Sequence, residues 1–389
     1  MRLIVRGYPS ELLRTLLLGK VTFKPVPFQQ RDAYVLATSD PLGDDLSGYV
    51  GVLTPRTLDA EALGVISTPL LHGVETVEHL SEGDVVALNP TGSVRTLYRL
   101  ASRHNVLFAT DRCNSLCLMC SQPPKEGDDS KRVHELLRLI DLIDPNTEEL
   151  GITGGEPTLL GEGLLHVIRK CAEDLPRTAL HVLSNGRLFY YDAYARRLAE
   201  IGHPNMMVGI PLYSDVDCHH DYVVQARGAF DETLIGLHNL ARFDVAVELR
   251  IVVHRLTFSR LGKLADFIFR NLPFAAHVTF MGLEPIGLAI PNLDELWIDP
   301  WDYRAELEDA TLRLASYGLK VSIYNHQLCT LPTTLWSYAR QSISDWKNEY
   351  LPVCNTCQIM PRCGGFFTSS VVRRHSSHIQ PIQAIQSHP

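Results

Sequence analysis

The chain has 389 residues, 45% of them apolar and 21% charged, the proportions of a globular protein with room for two or three domains. Its formal net charge is −8 and it holds no dense Lys/Arg run, which argues against a nucleic-acid partner, because such proteins carry a basic face. No stretch of 18 apolar residues occurs, and the opening MRLIVRGYPSELLRTLLLGK mixes charges among its apolar residues. Neither a membrane span nor a signal peptide is expected, and a cytoplasmic location follows.

Residues 1–104 are rich in short apolar runs broken by Pro and Gly, such as VTFKPVPF, YVLAT and YVGVLTP. EGDVVALNPTGSVRTLYR reads as two strands joined at Asn89-Pro90-Thr91-Gly92. A β-rich domain is expected here, and its strand edges could dock a peptide.

From residue 105 apolar runs alternate with helical patterns. NVLFAT precedes VHELLRLIDLI, ELGIT precedes LLHVIRKCAEDL, and ALHVLS precedes AYARRLAEIG. MMVGIPLY then leads to ETLIGLHNLARF, VELRIVV to LGKLADFIFRNL, and HVTFMGL to YRAELEDATLRLASYG. Six strand–helix units imply a parallel sheet covered by helices. The expected fold class is α/β, a partial (β/α)6 barrel over 105–319 whose chemistry sits at the C-terminal ends of its strands. Residues 320–367 carry a last short strand, KVSIYN, and a Cys-rich extension. The tail 368–389 shows little periodicity and is expected to be disordered.

Nine cysteines are present, an odd number that argues against a disulfide framework where no secretion signal is read. Cys113, Cys117 and Cys120 form CxxxCxxC directly after the first barrel strand. Alone, that spacing also fits zinc or incidental thiols. Gly154-Gly155-Glu156-Pro157 follows the second strand, where Gly permits close backbone approach; alone, it also fits a strand-to-helix turn. Cys354, Cys357 and Cys363, with Cys329 upstream, have metal-ligand spacing that suits structural zinc or an iron–sulfur cluster. Cys171 lies on an apolar helix face and reads as core.

CxxxCxxC after the first strand with GGEP after the second resembles the radical S-adenosylmethionine (SAM) superfamily. The resemblance implies a [4Fe–4S] cluster on Cys113, Cys117 and Cys120. Three thiolates leave one iron for the amino and carboxylate groups of SAM, whose reductive cleavage yields a 5′-deoxyadenosyl radical. It implies cofactor contacts from Gly154, Gly155, Glu156 and Pro157, from Ser184 and Asn185 after strand three, from Tyr213 or Ser214 after strand four, from Arg250 in strand five and from Gly282 after strand six. Ordinary turn or ion-pair roles are the alternatives for these. His220 and Asp221, with Cys218 beside them, are catalytic candidates whose alternative is loop anchoring. A Cys-rich extension after such a barrel resembles SPASM or twitch domains and implies an auxiliary [4Fe–4S] cluster on Cys329, Cys354, Cys357 and Cys363. HNVLFATDRCNSLCLMCSQPP, LCTLPTTLWSYARQSISDWKNEYLPVCNTC and CGGFF are similar to the His-Xaa-Ser system radical SAM maturases. That similarity implies a ribosomally made precursor peptide with His-Xaa-Ser repeats as substrate and a second radical SAM maturase as partner. A flavodoxin or ferredoxin would be the electron donor. The alternative is a radical SAM enzyme acting on a small molecule in cofactor biosynthesis.

Overall fold

In the computed structural model, residues 3–43, 45–341 and 349–383 are described. Some of the similar segment ending in LPVCNTC, residues 342–348, and the end of the tail, residues 384–389, lie outside them. The chain divides into two compact units, one made of 1–108, 130–151 and 166–179, the other of 109–129, 152–165 and 180–389.

The first unit holds eight short strands: β1 (Ile4–Arg6), β2 (Tyr8–Pro9), β3 (Leu17–Thr22), β4 (Tyr34–Ala37), β5 (Gly51–Leu53), β6 (Leu70–His72), β7 (Val85–Leu88) and β8 (Ser93–Tyr98). A short helix, α1 (Ala60–Val65), precedes β6. The strand order is β1-β8-β7-β3-β4-β5-β6-β2. The two outermost strands, β1 and β2, are consecutive in the chain and meet at Gly7, so one bent strand closes the sheet on itself. Val5, Val21, Val35, Leu53, Leu71, Val86, Leu88 and Val94 fill its interior. Closure removes long free strand edges. The β7–β8 hairpin turns at Asn89–Gly92, where Asn89 Oδ1 accepts from the Thr91 N–H at 2.9 Å, as the NPTG signal implies.

The remaining sheet has seven strands in sequential order: β9 (Asn105–Phe108), β10 (Glu149–Thr153), β11 (Ala179–Leu183), β12 (Met206–Pro211), β13 (Ala246–Val253), β14 (His277–Gly282) and β15 (Val321–Tyr324). The ladders from β11 to β15 are parallel. The six strands expected from the sequence are β9–β14, and KVSIYN is β15. Since β9 and β15 lie at opposite ends of the order, the architecture is the expected partial (β/α) barrel. Its helices are α2 (Arg132–Leu142), α3 (Glu162–Asp174), α4 (Asp192–Ala199), α5 (Asp217–Val224), α6 (Ala229–Arg242), α7 (Leu261–Asn271), α8 (Leu293–Leu296) and α9 (Arg304–Ser316). In the tail, Thr368–Arg373 forms α10. No helix among the described residues is long and apolar enough to cross a membrane.

Strand β13 shows how sequence sets the layers. Val247, Leu249, Ile251 and Val253 alternate with Glu248, Arg250 and Val252, and the first set is buried to 1% exposure or less. Period-two alternation sends the first set to one face of the sheet and the second to the other. On α7, Leu264, Ala265 and Ile268 recur at helical spacing and are buried. Each fully buried aliphatic chain contributes roughly 1.5–3 kcal/mol.

Phe280 in β14 is 1% exposed. Phe280→Ala is expected to destabilise the barrel by about 3–5 kcal/mol, read as a lower denaturant midpoint in equilibrium unfolding.

Candidate functional site

Three backbone hydrogen bonds dock the loop after β9 on the end of β10. Ala109 N donates to Thr153 O at 2.7 Å, Gly155 N to Thr110 O at 2.7 Å and Glu156 N to Arg112 O at 2.8 Å. The approach is close enough to demand glycine: a Cβ on Gly154 would lie 2.5 Å from Thr110 O, and one on Gly155 would lie 2.1 Å from Arg112 O. Gly154 also has φ +148°. The two glycines of GGEP therefore act sterically, bringing the cysteine loop onto the strand end.

The loop is held elsewhere too. Leu116 N and Leu118 N donate to Val224 O and Val223 O at the end of α5. Leu288 N donates to Cys120 O at 2.8 Å. Arg187, which the sequence did not single out, bonds Asn114 O and, at 3.1 Å, Ser115 Oγ, with Glu232 Oε2 at 2.6 Å on its other side.

So fixed, Cys113, Cys117 and Cys120 line one cavity of about 300 Å³. Gly154, Gly155, Ser184, Asn185, Tyr213, Arg250 and Gly282 line it as well. These contributors come from five successive strands, β10 to β14, Arg250 from within β13 and the others from the C-terminal ends, where such barrels place their chemistry. Glu284 and Asn325 join them; Asn325 went unnoticed in the sequence. Burial pushes the Cys113 thiol up to about 11 and the Cys117 thiol up to about 12. It raises Cys120 also. Three thiols gathered where ionisation is disfavoured fit a cationic iron group, which supplies the charge that lets them ionise.

Glu156 and Pro157 do not line this cavity. Glu156 is fully buried. Its Oε1 accepts from Thr158 N at 3.0 Å, Thr158 Oγ1 at 2.5 Å and Ser184 Oγ at 2.8 Å, and its Oε2 from Asn185 N at 2.6 Å. The carboxyl ties the end of β10 to the end of β11 and sets Ser184 and Asn185 at the rim. Burial raises its pKa against those hydrogen bonds.

Arg250 lines the cavity with its guanidinium anchored from below. Its Nη1 donates to Glu248 Oε2 at 2.8 Å and its Nη2 reaches Met281 Sδ at 3.3 Å. Glu248 lies 2.9 Å from His181 Nε2 and 3.3 Å from His277 Nδ1, and accepts from Thr279 Oγ1 at 2.5 Å. Burial opposes its charge, but the contacts with His181, His277 and Arg250 hold its pKa well below the usual carboxylate range. Gly209 makes room: a Cβ there would meet His181 Nε2 at 2.8 Å and Arg250 Cδ at 3.0 Å.

The His220–Asp221 pair and Cys218 do not line the cavity. His220 is buried; its Nδ1 accepts from Tyr213 N at 3.2 Å and its ring stacks on Tyr213 at 5.8 Å between centroids. Asp221 accepts from Gly228 N at 2.5 Å and Phe230 N at 2.9 Å, holding the start of α6. Cys218 is exposed. Ser214 accepts from Val216 N at 3.1 Å and is likewise absent from the cavity wall, where its neighbour Tyr213 stands.

Cys329, Cys354, Cys357 and Cys363 line a second cavity together with Leu328, Met360, Phe366, Ile379 and Ile382. Burial raises the Cys329, Cys354 and Cys363 thiols. A backbone N–H is directed at one of the sulfurs: Ile382 N reaches Cys357 Sγ at 3.3 Å. Four thiols around one cavity, one of them with an amide donor aimed at it, fit a fully ligated iron–sulfur group. Among the described residues, no three His, Cys, Asp or Glu side chains gather as a site for a single ion; the thiols ring cavities instead.

Residues 107–268 match the family model described as the Radical SAM superfamily. That segment runs from β9 into α7 and includes the three-thiol loop, GGEP and Arg250. Over that segment the chain is similar to the radical SAM superfamily, whose members use a [4Fe–4S] cluster and SAM. It is 24% identical over 187 residues to GTP 3′,8-cyclase of Petrotoga mobilis, covering 46% of this chain and 54% of that protein. It is 26% identical over 200 residues to Fe-coproporphyrin III synthase of Methanosarcina barkeri, covering 46% of each. The chain thus spans about half the length of these curated relatives. Among solved structures, Streptococcus suis SuiB bound to precursor peptide SuiA aligns with TM-score 0.43 and 14% identity over 60% of this chain and 50% of that one. The protein anSMEcpe with bound AdoMet and the Kp18Cys peptide aligns with TM-score 0.49 and 14% identity over 71% and 91%.

Burial holds three histidines of this unit neutral: His220 is pushed down to about 4, His254 to about 3 and His326 to about 4. The unfolded chain takes up protons below about 6.5 that these folded sites refuse, so their contribution to stability is full above that pH and is lost as pH falls toward 4. The denaturant midpoint should be lower at pH 5 than at pH 7.5, and His220→Asn should narrow the gap. A gap of unchanged size in that variant would count against a neutral, buried His220.

Proposed function

We propose that this protein is a radical SAM enzyme that modifies a ribosomally made peptide. The observation that carries the enzymatic half of this reading is the convergence of Cys113, Cys117 and Cys120 with Gly154, Gly155 and Arg250 on one cavity. In this reading the three thiolates hold a [4Fe–4S] cluster. A cluster held there would keep one iron without a protein ligand for SAM, and the chemistry it would supply is reductive cleavage of SAM to a 5′-deoxyadenosyl radical able to attack substrate C–H bonds. The protein's own residues bind and orient. Arg250, neutralised from below by Glu248, presents its remaining N–H donors to a carboxylate. Ser184 and Asn185, set by Glu156, offer polar groups to the ribose or the amino acid end. Tyr213 and Gly282 wall the cavity. Such positioning decides which C–H bond reacts, because the radical is unselective.

The second thiol group holds an auxiliary [4Fe–4S] cluster in this reading. The peptide substrate, with His-Xaa-Ser repeats, is favoured by the resemblance of the cysteine loop and the C-terminal phrases to the His-Xaa-Ser system maturases. A second maturase would be a partner, a flavodoxin or ferredoxin the electron donor, and the cytoplasm the location. A second reading is a radical SAM enzyme acting on a small molecule, and the relatedness to GTP 3′,8-cyclase and Fe-coproporphyrin III synthase favours it.

Cys113→Ala, Cys117→Ala and Cys120→Ala should each abolish 5′-deoxyadenosine formation in reduced, anaerobically reconstituted protein, with the fold retained by circular dichroism. Turnover persisting in any one of them would remove the assignment. The substrate is tested separately, by mass spectrometry of a His-Xaa-Ser repeat peptide incubated with enzyme, SAM, reductant and the second maturase. A changed peptide mass is expected. An unaltered peptide while 5′-deoxyadenosine accumulates would favour the small-molecule reading.

A further inference from the structure

The tail beyond α10 has no evident role in the radical site, yet it is pinned at both ends. At one end, Ser377 N donates to Asp299 Oδ2 at 3.1 Å and the His378 ring stacks on Trp301, 4.9 Å between centroids at an 8° tilt. At the other end, Gln358 N donates to Ile382 O at 3.0 Å and Ile382 N donates to Cys357 Sγ at 3.3 Å. Between the anchors, Ile379, Gln380 and Ile382 line the cavity of the four cysteines. Ile379 and Ile382 are half-buried while Gln380 is exposed, so the strap turns its apolar side chains inward.

We propose that residues 377–382 are a cap over the four-thiol site, shielding the group held there and supplying an amide donor to Cys357. This rests on the reading of that site as an iron–sulfur centre. Four thiolates complete the protein ligation of a four-iron cube and leave no open iron, and the two half-buried isoleucines over them reduce its contact with water. The centre therefore stores or passes electrons and does not bind substrate directly. The strap helps to set its reduction potential and its resistance to iron loss, because hydrogen bonds to sulfur and exposure to water are what tune such centres.

The test uses the full chain carrying Cys113→Ala, Cys117→Ala and Cys120→Ala, so that only the second site holds metal. Deleting residues 379–389 should speed iron loss to a strong ferrous chelator by about tenfold or more, while deleting 384–389 alone should change nothing. Ile382→Pro keeps the chain length but removes the donor to Cys357. It should move the reduction potential to a more negative value, because the lost N–H stabilised the reduced, more negatively charged sulfur. Equal chelation rates with and without 379–389, together with an unshifted potential in Ile382→Pro, would overturn the cap. Retention of about four irons in the triple variant supports the underlying reading. A protein that takes up zinc and no iron there would overturn that reading, and the cap as an iron–sulfur shield with it.

Discussion

The close backbone contact between Thr110–Arg112 and Gly154–Glu156 is the constraint on which the rest of the site depends. Three cysteines on a loop can serve one cluster only if the loop has one conformation, and thiols do not supply that order before metal arrives. Here it comes from amide–carbonyl bonds to the end of β10, at a separation that no side chain tolerates. Any Cβ at position 155 would push Arg112 and hence Cys113 away from the cavity. Arg187 secures the next residues, and the end of α5 secures Leu116 and Leu118. The loop is thus bound by the ends of strands and helices, which keeps it open toward the cavity.

A second constraint is electrostatic. The face of the sheet that carries Glu248 and Arg250 is polar, and a buried carboxylate is costly unless paired and hydrogen-bonded. Glu248 meets that condition with Arg250, His181, His277 and Thr279. The same arrangement leaves Arg250 at the cavity floor with a fixed orientation. Glu156 has a comparable role at the ends of β10 and β11, where it orients Ser184 and Asn185. Two buried acids therefore shape the cavity without standing in it.

Much of this was legible in the sequence. Strand and helix periodicities placed β9–β15 and their helices closely, because buried strands and amphipathic helices write their periods directly. The seven grouped cysteines fell into two sets, and each set lines its own cavity. The role of Glu156 was less legible: a motif says that an acid follows two glycines, not whether its carboxyl faces the ligand or the neighbouring strand. Arg187, Asn325 and the His181–Glu248–His277 cluster were missed because they come together from different strands and loops. Only the alternation in VELRIVV hinted that Glu248 and Arg250 share a face. The strap at 377–382 was hidden for another reason. It has no periodicity, and its order comes from contacts with residues about 25 to 80 positions away in the chain, such as Cys357 and Asp299.

The decisive measurement is magnetic-resonance detection of hyperfine coupling between the reduced first cluster and SAM labelled with nitrogen-15 in its amino group and oxygen-17 in its carboxylate. Coupling from both labels is expected in the intact protein, because three thiolates leave one iron to be chelated by those groups. A reduced four-iron cluster that shows no coupling to either label, with SAM bound, would contradict an open iron at Cys113, Cys117 and Cys120.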